Sequence, residues 1–240
     1  MNRIVALFVV VLATALAGCT RSLESQYSPS YQPVSSTATA ASAKIGVARL
    51  EDKRSWVNPG DEKSKSFVAQ AGSWKFGLSF AGKEYTPSDL IVRSAISDEF
   101  RRLGASITPI EMVLGSADIA KYDAAGTAAK VDYVLGGDLV VFEFVNETGL
   151  VTVTSRRGVS LNLKMKRVGA ARALIDQNYS QNDRENEGLG VMHSTNVNKL
   201  MNGALKSVVH KLVTDVATAL NLPENKVSVA VEFDGVALQD

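Results

Sequence analysis

The sequence predicts an α+β fold: a single domain behind a flexible tether, with a mixed, largely antiparallel sheet packed against two or three helices. Apolar and polar residues alternate in residues 159–168, which is typical of a strand with one buried and one wet face. Apolar residues recur at helical spacing in residues 88–103 and again in residues 195–221. A composition of 45% hydrophobic and 21% charged residues suits such a globular domain.

The first strand and an insertion open the domain. Residues 44–50 form a short apolar run, and the charged segment 51–54 after it predicts a turn at the strand end. Residues 55–87 combine four glycines with polar and scattered aromatic residues, which predicts a long insertion, including a short hairpin at residues 74–85.

Two helices and two strands are predicted next. Thr86-Pro87-Ser88-Asp89 offers helix-capping residues, and Gly104 ends the helix. Residues 105–110 predict a strand, and the alanine-rich residues 116–130 predict a second helix interrupted near Gly126. Residues 131–144 predict a long strand in which the pair Gly136-Gly137 suggests a bulge.

The second half is predicted to continue the sheet and end in a helix and a strand. Residues 150–155 and 159–168 predict two successive strands, and residues 173–180 a third that pairs with them. A charged loop at 182–190 then leads to the helix at 195–221. The period-two tail at 225–234 predicts a last strand, either an edge of the domain's own sheet or a strand offered to another protein.

The N-terminal residues predict export. Arg3 gives a positive start, and residues 4–16 form an apolar run of about 20 Å as a helix, too short for the ~30 Å hydrocarbon core of a membrane. Leu16-Ala17-Gly18-Cys19 follows and resembles the lipobox of bacterial lipoproteins. The resemblance implies recognition of Leu16, Ala17 and Gly18 by the signal peptidase and a lipid on the thiol of Cys19.

Cys19 is the only cysteine in the chain, and it occupies the position that the lipobox requires. The alternative is an ordinary signal peptide with a chance cysteine. A processed lipoprotein carries a covalent diacylglyceryl group and an N-acyl chain, which together give a durable membrane anchor. Thr20 stands where an aspartate tends to retain enteric lipoproteins at the inner membrane, so the resemblance implies the outer membrane with the domain facing the periplasm.

The predicted organisation has three parts. Residues 1–18 are a lipoprotein signal peptide, residues 19–43 a lipidated N-terminus and flexible linker, and residues 44–240 the periplasmic domain. Removing residues 1–18 takes away one of the 26 Lys and Arg residues and none of the 25 Asp and Glu residues. The mature chain is therefore neutral, which argues against a nucleic-acid partner.

The order of motifs resembles a known family. A strand, the turn Glu51-Asp52-Lys53-Arg54, a helix ending in Arg-Arg-Leu-Gly and the segment Val131-Asp132-Tyr133-Val134-Leu135-Gly136-Gly137-Asp138-Leu139 resemble the YajG-like lipoproteins. More distantly they are similar to the α/β domains of the CsgG and LpoB envelope lipoproteins. The resemblance covers residues 44–221 and implies an envelope lipoprotein domain, from which the insertion 55–87 and the C-terminal strand depart.

The residues predict no enzyme and no metal site. Of the two histidines, His193 is placed in a loop and His210 on the polar face of the last helix, and neither belongs to a recognisable catalytic motif. Asp132 and Asp138 are conceivable as an acid/base pair, but the sequence does not support one. We expect no catalytic residues, no metal ligands and no cofactor other than the lipid on Cys19.

We therefore predict a membrane-anchored, non-catalytic module that binds, assembles or stabilises an envelope protein partner at the outer membrane. Trp56 and Trp74 in the insertion are candidate partner-binding anchors, although filling of the core is an alternative use for them. The alternative function is a lipid- or glycolipid-binding auxiliary of an envelope transport system, which requires an apolar groove.

Overall fold

A computed structural model of the chain describes residues 23–24, 43–58, 60–71, 74–79, 85–148, 153–187 and 194–220. The predicted signal peptide, the lipobox with Cys19, His193 and the C-terminal strand at 225–234 lie outside the described residues. Within these ranges no helix is long and apolar enough to cross a membrane.

The elements alternate along the chain. The strands are β1 Leu23–Glu24, β2 Lys44–Arg49, β3 Glu51–Asp52, β4 Phe67–Ala71, β5 Trp74–Ser79, β6 Ser106–Val113, β7 Tyr133–Thr148, β8 Val153–Arg167 and β9 Ala173–Glu187. The α-helices are α1 Ser88–Arg102, α2 Ile119–Ala129 and α3 Ser194–Ala219, and Glu62–Ser66 forms a short 3-10 helix.

Strand β7 organises the sheet. One edge of β7 pairs antiparallel with β8 along its whole length, and β9 continues the sheet beyond β8. The other edge of β7 pairs in parallel with β2 near its start, with β3 at Asp138 and with β4 near its end. Strand β6 lies beyond β2, while β5 and then β1 lie beyond β4. The predicted fold class, a mixed sheet with three helices in one domain, is confirmed.

The main core lies between the sheet and the pair α1 and α3. The alternating apolar residues of β8 are all buried there. The apolar stripe predicted for the last helix is Val197, Met201, Ala204, Leu205, Val208, Leu212 and Val216, and all of these are buried except Val197, whose burial lies outside the described residues. The buried β8 residues are Val159, Leu161, Leu163 and Met165. A smaller cluster around Leu114 and Tyr122 places α2 on the opposite face. Helices therefore cover both faces of the sheet near β2 and β6.

The predicted wet face of β8 is wrong at two positions. Lys164 and Lys166, expected in water, are only 8% and 4% exposed. The ammonium group of Lys166 bonds the carboxylate of Asp123 on α2, and Lys164 pairs with Asp176 of β9 at 3.1 Å. The two lysines tolerate burial because each has a carboxylate partner.

Three segments that were predicted as an insertion, a loop or a break between strands contain strand residues in the structure. In the insertion 55–87, β4 pairs directly with β7, and the hairpin is β4–β5 at 67–79 instead of 74–85. Residues 182–187 of the predicted charged loop continue β9, and residues 153–167 form one strand instead of two. Their polar sequences predicted loops, but pairing along the full length of β8 satisfies the backbone groups of 182–187.

Two glycine predictions are also wrong. Helix α2 runs unbroken through Gly126, whose missing side chain leaves room for Val134 and Val168. The register of β7 is unbroken at the glycine pair, and the irregularity falls between Leu139 and Val141. Gly137 has a φ of 144°, and a Cβ atom there lies 2.1 Å from the carbonyl oxygen of Asn162. The glycine therefore serves close strand packing.

We expect Gly137→Ala to lower the free energy of unfolding by about 3 kcal/mol. Two costs add up at this position: the strain of a side chain at positive φ, and the clash of its Cβ atom with the backbone of Asn162. Gly169→Ala is the matched control: Gly169 also has a positive φ, 80°, but a Cβ there meets nothing within 4 Å. It should cost only about 1 kcal/mol. Urea unfolding of both variants measures the difference, and equal losses contradict the packing role of Gly137.

Candidate docking surface

Arg54 is the centre of a buried junction at the start of the insertion. Its side chain is fully buried and binds the carboxylate of Asp52 with two hydrogen bonds of 2.8 and 2.6 Å. Its other donors reach the carbonyl oxygens of Lys65 and Phe67, each at 2.6 Å. One guanidinium therefore joins the end of β3 to the 3-10 helix and to the start of β4.

Trp56 packs on this junction. Its ring centre lies 5.7 Å from the guanidinium carbon of Arg54, and the residue is half-buried. Its indole Nε1 is buried, with no hydrogen-bond acceptor among the described residues. Trp74 begins β5 at the β4–β5 hairpin, and its side chain lies outside the described residues. The use of both tryptophans as partner anchors stays a prediction.

The two aspartates considered as an acid/base pair have separate partners. Asp138 is 2% exposed, and it accepts hydrogen bonds from the backbone N–H and the hydroxyl of Ser116 at 2.9 and 2.5 Å. Lys53 pairs with the same carboxylate at 3.1 Å. Asp132 is exposed before the start of β7, where it accepts from the backbone N–H of Lys44 at 3.3 Å.

Asp138 ties three elements together. Lys53 follows β3, Ser116 lies in the loop between β6 and α2, and Asp138 lies on β7. The hydrogen bond to Asp138 raises the pKa of Lys53, so its ammonium group stays charged at neutral pH. Nearby, burial raises the pKa of Tyr122, whose hydroxyl donates to the carbonyl oxygen of Gly115 at 3.3 Å. The arrangement holds the loop 114–118 against the sheet.

Three exposed apolar residues flank that loop, and we name them the β6 patch: Met112, Val113 and Ile119. These side chains are 49%, 43% and 37% exposed. The first two end β6 and the third begins α2, and a backbone hydrogen bond from Asp118 to Gly115 closes the turn between them. Charged residues stand next to them in the sequence, since Glu111 precedes Met112 and Asp118 precedes Ile119, and apolar residues with charged neighbours are common in protein–protein interfaces.

The β6 patch was not predicted, because the sequence pattern ends the strand at Ile110. The structure extends β6 to Val113. The run Met112-Val113-Leu114 was a usable signal, but only tertiary packing decides that Leu114 is buried while its two neighbours are exposed.

A groove of about 500 Å³ lies between β9 and α3. Its lining is polar and includes His210, Lys211 and the pair Tyr179–Asp215, whose hydroxyl and carboxylate oxygens are 2.9 Å apart. Burial, and then the hydrogen bond to Asp215, raise the pKa of Tyr179. His210 is half-buried on the groove wall, and the described residues contain no group of three or more potential metal ligands.

Comparison with solved structures returns bacterial proteins of low identity. Protein XCC0632 from Xanthomonas campestris, of family DUF330, is 13% identical, with 82% of this chain and 93% of that chain covered and a TM-score of 0.48. A neuraminyllactose-binding hemagglutinin homolog from Helicobacter pylori is 12% identical, with coverages of 75% and 86% and a TM-score of 0.42. Lipoprotein GNA1162 from Neisseria meningitidis is 14% identical, with coverages of 73% and 99% and a TM-score of 0.27.

No family model matches the sequence, and neither does any curated protein. TM-scores below 0.5 assign no family, so the resemblance to the YajG-like lipoproteins is not confirmed.

Proposed function

We propose that this chain is an outer-membrane lipoprotein, anchored through Cys19, whose periplasmic domain is a non-catalytic docking module for an envelope protein. The observation that carries the proposal is the β6 patch, because exposed Met and Val side chains beside charged residues form a surface suited to an adaptable protein contact. The anchor keeps this surface close to the proteins of its own membrane.

The state of the buried carboxylates supports a non-catalytic role. Asp52, Asp89 and Glu99 are bound by Arg54, Arg49 and Arg102, respectively. Asp138 is bound by Lys53 and Ser116, as described above. Each of these carboxylates bonds groups of neighbouring elements or turns, which is the pattern of structural ion pairs.

The chemistry of the β9–α3 groove favours docking over lipid carriage. An acyl chain requires an apolar lining, because polar groups that face it lose their hydrogen bonds to water. The groove instead presents His210, Lys211, Asp215 and amide side chains of β9. In the described part of the chain, the exposed large apolar side chains are the three of the β6 patch and Leu174 of β9, and none of them lines this groove.

The test is purification of the lipidated protein from crosslinked, detergent-solubilised envelopes, with mass spectrometry of the proteins that accompany it. We expect one stoichiometric partner, and we expect Met112→Asp to lower its yield at least about tenfold, which corresponds to ~1.4 kcal/mol. The mutated side chain is half exposed, so the fold should persist.

Leu174→Asp is the matched control, because Leu174 is an apolar side chain of β9, 38% exposed and away from the β6 patch. It should leave the partner's yield unchanged. Equal losses in the two variants contradict docking through the β6 patch, and co-purification of stoichiometric lipid without a protein contradicts the docking module itself.

A further inference from the structure

Strand β9 forms an open edge of the sheet. It pairs with β8 along its whole length, and no other strand of the described residues pairs with it. The strand spans 15 residues, Ala173–Glu187. The polar groove of about 500 Å³ lies beside this strand, with residues 177–180 of β9 on one side and α3 on the other. The edge therefore offers a long row of backbone groups and room beside them for another strand.

The hydrogen-bond pattern shows which backbone groups of β9 point outward. The N–H of Val168 donates to the carbonyl oxygen of Asp132, so the even-numbered residues of β8 bond β7 and the odd-numbered residues bond β9. In the register of β8 and β9, odd-numbered residues stand opposite odd-numbered residues. The even-numbered residues of β9 therefore direct their N–H and C=O groups away from β8. The ammonium group of Lys211, 3.4 Å from the carbonyl oxygen of Ser180, agrees with this direction.

Strand β6, at another edge of the sheet, carries features that discourage pairing. Pro109 lies within this strand and has no backbone N–H. The guanidinium group of Arg93 donates to the carbonyl oxygen of Ile110 at 3.1 Å and covers that acceptor. Strand β9 contains no proline, so each of its outward residues has both a donor and an acceptor. The open edge of β9 is thus the better site for an added strand.

We propose that β9 pairs antiparallel with β9 of a second copy of this chain, about a two-fold axis at Ser180. Because Ser180 is the midpoint of residues 173–187, the two strands overlap over their full length. Even-numbered residues then stand opposite even-numbered residues, so the outward donors of each copy meet the outward acceptors of the other.

The charges of β9 favour this register. Asp176, whose side chain is 65% exposed, stands opposite Arg184 of the second copy, and no two like charges stand opposite each other. Other two-fold registers between even-numbered residues of β9 place no acidic residue opposite Arg184. The pairing uses neither the β6 patch nor the lipid anchor, so its test is independent of the proposed function.

Cysteine substitutions in the full-length chain test the register in intact cells that express it. Opposite residues of a hydrogen-bonded antiparallel pair have Cα atoms about 5.5 Å apart, which a disulfide spans. Ser180→Cys should therefore link two copies when copper–phenanthroline is added as the oxidant. Asn178→Cys and Asn182→Cys are the matched controls, exposed like Ser180 but each four positions, roughly 13 Å, from the same residue of the other copy. The parent chain, whose one cysteine is Cys19, gives the background.

We expect at least about half of the Ser180→Cys chains in a disulfide-linked dimer, and at most about a tenth of either control chain expressed alone. The two control chains expressed together should give a linked dimer that neither gives alone, because positions 178 and 182 lie opposite each other. Equal linkage at all three positions, or linkage of Ser180→Cys no stronger than the parent background, overturns the dimer. Linkage that appears only after deletion of residues 225–240 overturns it as well, because the tail then occupies the edge.

Discussion

Replacing Cys19 with alanine is expected to abolish fatty-acid incorporation and to leave residues 1–18 attached to the protein. The reason is chemical: the lipobox resemblance implies that the thiol of Cys19 is the nucleophile that takes a diacylglyceryl group, and that cleavage follows this step. Each CH₂ group of an acyl chain contributes about 0.8 kcal/mol to membrane binding, so under the proposed function the lipid on Cys19 supplies most of the anchoring energy.

Metabolic labelling with a radioactive fatty acid and the intact mass of the purified protein measure both effects. Thr20→Ala is the control, because it changes the neighbouring residue and leaves the thiol in place. It should be labelled and cleaved as the parent chain is. If the Cys19→Ala variant is still cleaved and the parent chain carries no fatty acid, residues 1–18 are an ordinary signal peptide and the lipidation of Cys19 is contradicted.

Among the ion pairs of the described residues, loss of Arg54 is expected to lower stability most: Arg54→Ala should cost about 3–5 kcal/mol of the free energy of unfolding. The variant leaves the carboxylate of Asp52, 4% exposed, without its two hydrogen bonds from Arg54. It also removes the donors to the carbonyl oxygens of Lys65 and Phe67, which hold the insertion to the sheet. Loss of this order is a large part of the stability of a typical domain.

Urea unfolding measures the loss, and amide hydrogen exchange should show earlier opening of β4 than of β8. Arg54→Lys keeps the charge but not the planar guanidinium group. Its free energy of unfolding should therefore lie between those of the parent chain and Arg54→Ala. Arg101→Ala is the exposed control: its pair with Asp98 has side chains 51% and 45% exposed, and its loss should stay below about 1 kcal/mol. A cost for Arg54→Ala as small as that of Arg101→Ala contradicts the role of the junction.

The sequence pattern alone was sufficient to predict those elements in which apolar residues follow a clear helical or strand period. The helices α1 and α3 and the buried alternation of β8 were predicted within a few residues, because each buries one apolar stripe on the same core. The strand β4 could not be predicted in this way. Its place beside β7 is supported by Arg54, which donates to the carbonyl oxygen of Phe67 on β4 and, at 3.4 Å, to that of Phe142 on β7, 88 residues away in the chain.

For the candidate docking surface, too, the sequence predicted some residues and the tertiary structure placed the others. Trp56 was predicted from the sequence as a partner-binding anchor, with core filling as the alternative, but only the structure places it against Arg54. Met112 and Val113 carried no periodic signal, and their exposure depends on β6 having β2 as its neighbour on one side. Lys164 and Lys166 were assigned to water by the alternation of β8, and a helix from another part of the chain supplies the carboxylate that buries Lys166.

By itself the sequence determined the α+β class and the order of the main helices and strands, because these depend on periodicity, and it predicts a lipobox at Cys19 from a contiguous motif. The tertiary structure alone decided which polar residues are buried, which apolar residues stay exposed at the β6 patch, and that Leu23 and Glu24 pair with β5. These properties depend on contacts between residues far apart in the chain, and no local pattern encodes such contacts.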